Sequence, residues 1–169
     1  GEVIEADILV QCDDDLREVM GVVGYRPRRV TDVQDIEAIL WHAAMNCREA
    51  GTVFFSFAQT SNPTQFVSQR HFKFVGSVVG NIMGFWREEF NRHIRFDPRF
   101  HRAALDAALR VLHRYRILWI DTRFCFQPGP HMTTPGGLAG TRTLQVIEQD
   151  DELMRRRFGE RIRKLTAGT

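Results

Sequence analysis

The chain is poor in lysine. Of its 23 basic residues, only Lys73 and Lys164 are lysine and the remaining 21 are arginine. Cysteine is scarce as well. Cys12, Cys47 and Cys125 are odd in number, far apart and nowhere spaced CxxC. That excludes a disulfide framework and a cysteine-based zinc site, and it suits a reducing compartment. There is no run of about 18 apolar residues, so no membrane span is expected. No signal peptide is visible. GxSxG, the P-loop and GxGxxG after a strand are all missing, so hydrolase, NTPase and dinucleotide readings have no anchor. The six histidines (His42, His71, His93, His101, His113, His131) form no HxH, HExxH or HxxE pattern. No metal and no cofactor is therefore expected. "CDDD" (Cys12 to Asp15) is read as a helix start, where acids oppose the helix dipole, rather than as a metal site.

What is present describes a globular chain. It has 169 residues, 43% hydrophobic, 26% charged and 11% aromatic. A single domain of that size buries roughly 70% of its unfolded surface. The small net charge of +2 hides a division. Residues 1–40 carry ten acids against four bases, residues 41–130 six acids against twelve bases, and residues 131–169 five acids against seven bases. An acidic front and a basic middle suggest a polyanion partner or head-to-tail contact between copies. Arginine binds phosphate bidentately and stacks on bases, which lysine does not. An arginine-rich codon usage explains the same bias without any ligand.

Hydrophobic periodicity predicts an all-α fold: one helical domain of about five helices, with terminal arms and a Pro/Gly-rich loop. A first helix is expected over Asp13–Val23, from Leu16, Val19, Met20 and Val23 at helical spacing. "TDVQ" reads as a capping box with Thr31 as N-cap. Its helix runs to about Ala50 with Val33, Ile36, Leu40, Ala43, Ala44 and Cys47 inward and Gly51 as C-cap. "TVFFSF" (Thr52–Phe57) is a short strand or a buried loop. Phe66–Phe90 is expected to be a buried central helix, with Gly76, Gly80 and Gly84 forming a smooth stripe at a cost of about 1 kcal/mol each relative to Ala. In the next helix Asp97 is the N-cap, Pro98 the first residue, and Ala104, Leu105, Ala108, Leu112, Tyr115 and Trp119 the buried face. Asp106 and Arg110 fall on the other side. Gln127–Gly140 is a long loop, and a charged helix spans about Leu144–Leu165. The divisions are residues 1–30 (acidic arm and first helix), 31–126 (helical core) and 127–169 (loop and basic helix).

Within the core, arginine and aromatic residues interleave. Arg70, Lys73, Arg87, Arg92, Arg95, Arg99 and Arg102 alternate with Phe72, Phe74, Phe85, Trp86, Phe90, Phe96 and Phe100. Single-strand binders combine basic groups along the backbone with flat groups that stack on bases. An aromatic core with a solvated basic rim has the same pattern, and both readings stay open.

Four local patterns, in order, resemble the coat proteins of flexible filamentous, potexvirus-like plant viruses. They are "IEAILWHAAMNCREAGT" (Ile36–Thr52), "SQRHFKFVGSVVGNIM" (Ser68–Met83), Trp86, and "RHIRFD" (Arg92–Asp97). Pro98 stands where the family usually has an aromatic. The resemblance implies a helical subunit that is not an enzyme. It would polymerise as an open homo-oligomer into a filament and package single-stranded RNA through phosphate contacts, in the virion and host cytoplasm. It carries an RNA-contacting arginine onto Arg70, an aspartate onto Asp97 and a hydroxyl onto Thr52 or Ser56. Arg92, Arg95 and Lys73 would add positive charge. Asp97 would orient guanidinium groups toward phosphate. Two alternatives remain: a non-capsid RNA- or protein-binding helical module, and an enzyme built on Asp97, His93 and His101.

Overall fold

The structure, a computed structural model, describes residues 6–23, 26–60, 71–76, 78, 81–97, 103–128 and 144–159. Its elements are, in chain order, β1 (Ile8–Cys12), β2 (Leu16–Val23), β3 (Arg26–Val30), α1 (Val33–Glu49), β4 (Phe54–Phe57), β5 (Phe72–Lys73), β6 (Ile82–Trp86), α2 (Arg87–His93), α3 (Ala103–Tyr115), β7 (Trp119–Asp121), β8 (Phe124–Pro128) and α4 (Leu144–Phe158). The fold is mixed α/β, which corrects the all-α expectation. One sheet has the order β1-β6-β4-β7-β5, and a second has the order β3-β2-β8. All pairings are antiparallel except β4 with β7.

Two expected helices are strands. Residues 16–23 place apolar groups at helical spacing, yet their burial alternates with period two. Val19 and Gly21 are buried, while Met20 and Val22 are half-buried. Valine-rich stretches suit a pleated surface, and this one pairs on both sides. Pro27 lies on the outer strand β3, where its missing N–H breaks no interior ladder. The expected central helix is instead β5, β6 and the start of α2. All five residues of β6 are buried: β1 and β4 pair along its two edges, and α1 and α2 pack against it. A strand covered on both faces reads as a continuous apolar run, which periodicity does not distinguish from a buried helix.

Gly84 owes its identity to this sheet. It pairs with Phe55 of β4. A Cβ at Gly84 would lie 2.5 and 2.6 Å from Cε1 and Cε2 of the Phe55 ring and closer still to Cζ. The ring occupies the space that a side chain would need.

The core is aromatic. Phe85 stacks on Phe90 with centroids 4.3 Å apart, and Phe90 meets Phe96 at 5.2 Å. Phe57 meets Phe126 at 4.7 Å, and Ala58 N donates to the Phe124 carbonyl at 3.0 Å, so β4 touches the second sheet through β8. Helix α1 covers one face of the larger sheet. Its N-cap is Asp32, whose Oδ1 accepts from Gln34 N at 2.8 Å, one residue after the expected Thr31. Ile39, Ala43, Ala44 and Cys47 are buried, whereas Val33 at 75% exposure is not part of the stripe. Gly51 follows at φ +77, the left-handed conformation expected after a helix end. The buried side of α3 is rotated from the expected face and consists of Asp106, Ala107, Ala108 and Val111. Trp119 belongs to β7, beyond the helix.

Candidate nucleic-acid interface

The expected site residues divide by environment. Thr52 and Ser56 are buried, and both hydroxyls are engaged by the backbone. Thr52 Oγ1 donates to the Ile117 carbonyl at 2.9 Å, and Ser56 Oγ to the Ile82 carbonyl at 3.1 Å. Such hydroxyls tie loop and strand together and do not line a groove. Arg92 pairs with Glu88 one turn earlier on α2. Arg95 sits at φ +59 and donates from Nε to the Asn91 carbonyl at 3.3 Å, which satisfies a helix-end acceptor. Arg70, Pro98, Arg99, His101 and Arg102 lie outside the described residues, as does most of the expected loop after Gln127.

Asp97 does organise arginines, but distant ones. Its Oδ2 accepts from Arg157 at 2.8 Å and from Arg110 at 3.4 Å. The same two arginines hold Asp106, at 2.8 Å from Arg110 and 2.9 Å from Arg157. Asp106 is 0% exposed. Two carboxylates and two guanidinium groups thus balance in charge and join α3, α4 and the segment after α2. Burying charges is tolerable when each is paired and hydrogen-bonded. This arrangement serves as a structural clamp.

Among the described residues no group of three or more His, Cys, Asp or Glu side chains could hold a metal ion. His93 is exposed, and Arg114 approaches its ring nitrogen at 3.5 Å. Partial desolvation and the charges of Arg114 and Arg92 hold its pKa below the usual value. Burial, with Glu18 nearby, pushes the Cys125 thiol up to about 11. Burial also raises Cys47, whose Sγ donates to the Thr52 carbonyl at 3.2 Å. Thiols raised in this way stay protonated and are poor nucleophiles near neutrality.

The interleaved aromatics separate into two groups. Phe85, Trp86 and Phe90 are buried and Phe96 half-buried, as in the structural reading. Phe72 and Phe74 are not: they are 44% and 41% exposed on either side of the exposed Lys73, with Val75 following at 62%. Phe72 opens β5, the outer strand of the larger sheet, and Phe74 directly follows it. Phe72 stacks on Trp119 of β7 at 4.7 Å and 18°, and Phe74 lies 5.2 Å from Phe72. Trp119 presents its other contact edge-on to Phe74 at 5.9 Å. Among the described residues, Trp119 Nε1 is the buried side-chain polar atom without a hydrogen-bond partner. Such a group costs about 1–3 kcal/mol, and an unsatisfied donor beneath exposed rings marks a place not arranged for stability alone. Alternation and the position of β5 at an edge are the signals for this pair. Sequence spacing does not separate Phe72 and Phe74 from Phe85 and Phe90.

No family model matches the chain, and no curated protein or solved structure matches it. The capsid and filament reading drew on four short local patterns and implied an all-helical subunit. The two sheets overturn that subunit, and nothing in the comparisons supports a capsid or filament. Among the described residues no helix is long and apolar enough to cross a membrane.

Proposed function

We propose that the chain is a non-enzymatic module that binds single-stranded RNA at the β5 edge, without forming a filament. The observation that carries this reading is the pair of exposed rings, Phe72 and Phe74, flanking Lys73 and resting on Trp119. Base stacking on such rings is worth about 1–3 kcal/mol per base and tolerates any sequence. His71, also exposed, adjoins the pair. Leu118 N donates to the Phe74 carbonyl at 2.7 Å, which brings the chain near the exposed Arg116 to the same edge. The basic balance of residues 41–130 favours a phosphate backbone over an acidic-rejecting surface.

The test is fluorescence anisotropy with a labelled oligouridine at several salt concentrations. Phe72→Ala/Phe74→Ala is expected to weaken binding at least about ten-fold, which corresponds to one lost stack. Lys73→Gln should reduce the salt slope by about 0.7, one phosphate contact on a single strand. Salt-independent or absent binding by the wild type would overturn the proposal, and so would unchanged affinity in the double variant. Binding of a protein in place of RNA at the same rings is the competing outcome.

A further inference from the structure

A second feature lies at the opposite edge of the same sheet. An open cleft of about 530 Å³ separates β1 from α1, within the size range of small-molecule sites. Its walls include Ile8, Val10, Leu40, Trp41, Met45 and Trp86, with Asp7, Glu37 and Arg48 as the charged groups. Helix geometry explains the alignment. Glu37, Trp41, Met45 and Arg48 recur at i, i+4, i+8 and i+11, so they line one side of α1. This second stripe is distinct from the buried one. Eleven residues at 1.5 Å each put Glu37 and Arg48 roughly 16 Å apart along the helix.

The two indoles differ in occupancy. Trp86 is the floor: Ile8 is its partner in β1, and its Nε1 donates to the Ala44 carbonyl at 3.0 Å. The Arg48 guanidinium already lies over its ring, 4.5 Å from the centroid. An indole in this cleft therefore holds a cation supplied by the chain itself. Trp41 is 55% exposed, and no cation covers its ring among the described residues. Its neighbour one turn earlier is the carboxylate of Glu37. Neither Asp7 nor Glu37 forms a salt bridge among the described residues.

The geometry points to a binding site for an organic ammonium group carried on an apolar body, with the cation between Trp41 and Glu37 and the body along Met45, Leu40 and Val10. Three arguments select that class. Two carboxylates against one guanidinium leave the cleft net negative, which disfavours an anion. The free indole face attracts ammonium through its quadrupole, most strongly of the aromatic side chains. Arg48 opposes this only weakly, because a cation between Trp41 and Glu37 lies roughly 10–16 Å from it along the helix, beyond the screening length of about 8 Å at physiological salt. The site is independent of the β5 rings, so either proposal can fail alone.

Isothermal titration calorimetry with hexyltrimethylammonium, hexanoate and hexanol tests it. The ammonium probe should bind saturably, and hexanoate and hexanol at least about ten-fold more weakly. Trp41→Ala and Glu37→Gln should each weaken the ammonium probe about five- to ten-fold. Trp41→Phe should fall between Trp41→Ala and wild type, which separates ring chemistry from a folding defect. Equal binding of hexanol would make the cleft merely apolar and overturn the proposal. Tighter binding of hexanoate, or no saturable binding of the ammonium probe, would also overturn it.

Discussion

Replacing Gly84 by alanine separates the two readings of residues 66–90 by the sign of its effect. In a central helix, Gly→Ala would stabilise by about 1 kcal/mol. In the observed sheet the new methyl enters the Phe55 ring, with Cε1 and Cε2 at 2.5 and 2.6 Å. Phe55 is 0% exposed and meets Phe57 edge-on at 6.1 Å, so the ring has little room to turn. Gly84 is equally constrained, since β6 pairs with β1 and β4 on its two sides. Overpacking costs about 1–3 kcal/mol, and two rigid partners put this site near the upper end. For a chain of this length about 3 kcal/mol lowers Tm by roughly 6–12 °C. Urea denaturation followed by circular dichroism measures the change, with Cm expected to fall at unchanged m. Phe55→Ala alone should cost about 3–5 kcal/mol by leaving a cavity. The double variant should be less damaged than the two costs added, by about 2 kcal/mol, because removing the ring relieves the clash. A neutral or stabilising Gly84→Ala, or strict additivity with Phe55→Ala, would refute the packing argument.

Other outcomes follow from single contacts. Asp106→Ala removes two charge-assisted hydrogen bonds but leaves Arg110 and Arg157 paired with Asp97, and should cost about 1.5–3 kcal/mol in urea denaturation. Thr52→Val strands the Ile117 carbonyl and should cost about 1–3 kcal/mol, while leaving oligouridine affinity unchanged in the anisotropy assay. The Cys125 thiol is raised from 9.0 to about 11 on folding. The unfolded chain therefore ionises first, and stability should fall as pH rises between those values. Cys125→Ser should reduce that fall in alkaline denaturation curves, whereas a steeper or unchanged fall would contradict the assignment.

Local chemistry was legible wherever one segment settles its own structure. The span of α1, most of its stripe and the Gly51 beyond it follow from residues within two turns of one another, although its N-cap is Asp32 and not Thr31 and Val33 is exposed. That residues 103–115 are helical and that α4 begins at Leu144 follow in the same way, but the buried face of α3 does not: it includes Asp106, expected on the opposite side. The placement of Asp97 beside arginines was also legible in kind, since a carboxylate among guanidinium groups seeks to pair. Its actual partners were not legible: Arg110 and Arg157 lie 13 and 60 residues further on. The sheets were missed for a related reason. Leu16, Val19, Met20 and Val23 satisfy a helical period by coincidence, and residues 82–86 have no period at all.

Near neighbours and composition alone settle the helix of residues 33–49, the glycine that follows it and the charge division. Only the tertiary structure decided which aromatics face solvent, which glycine faces a ring, and which arginines hold Asp97. Those depend on which strand becomes an edge and which a centre. Strand pairing joins Phe55 to Gly84 and Phe72 to Asp121 across long stretches of chain, and no local pattern encodes that choice.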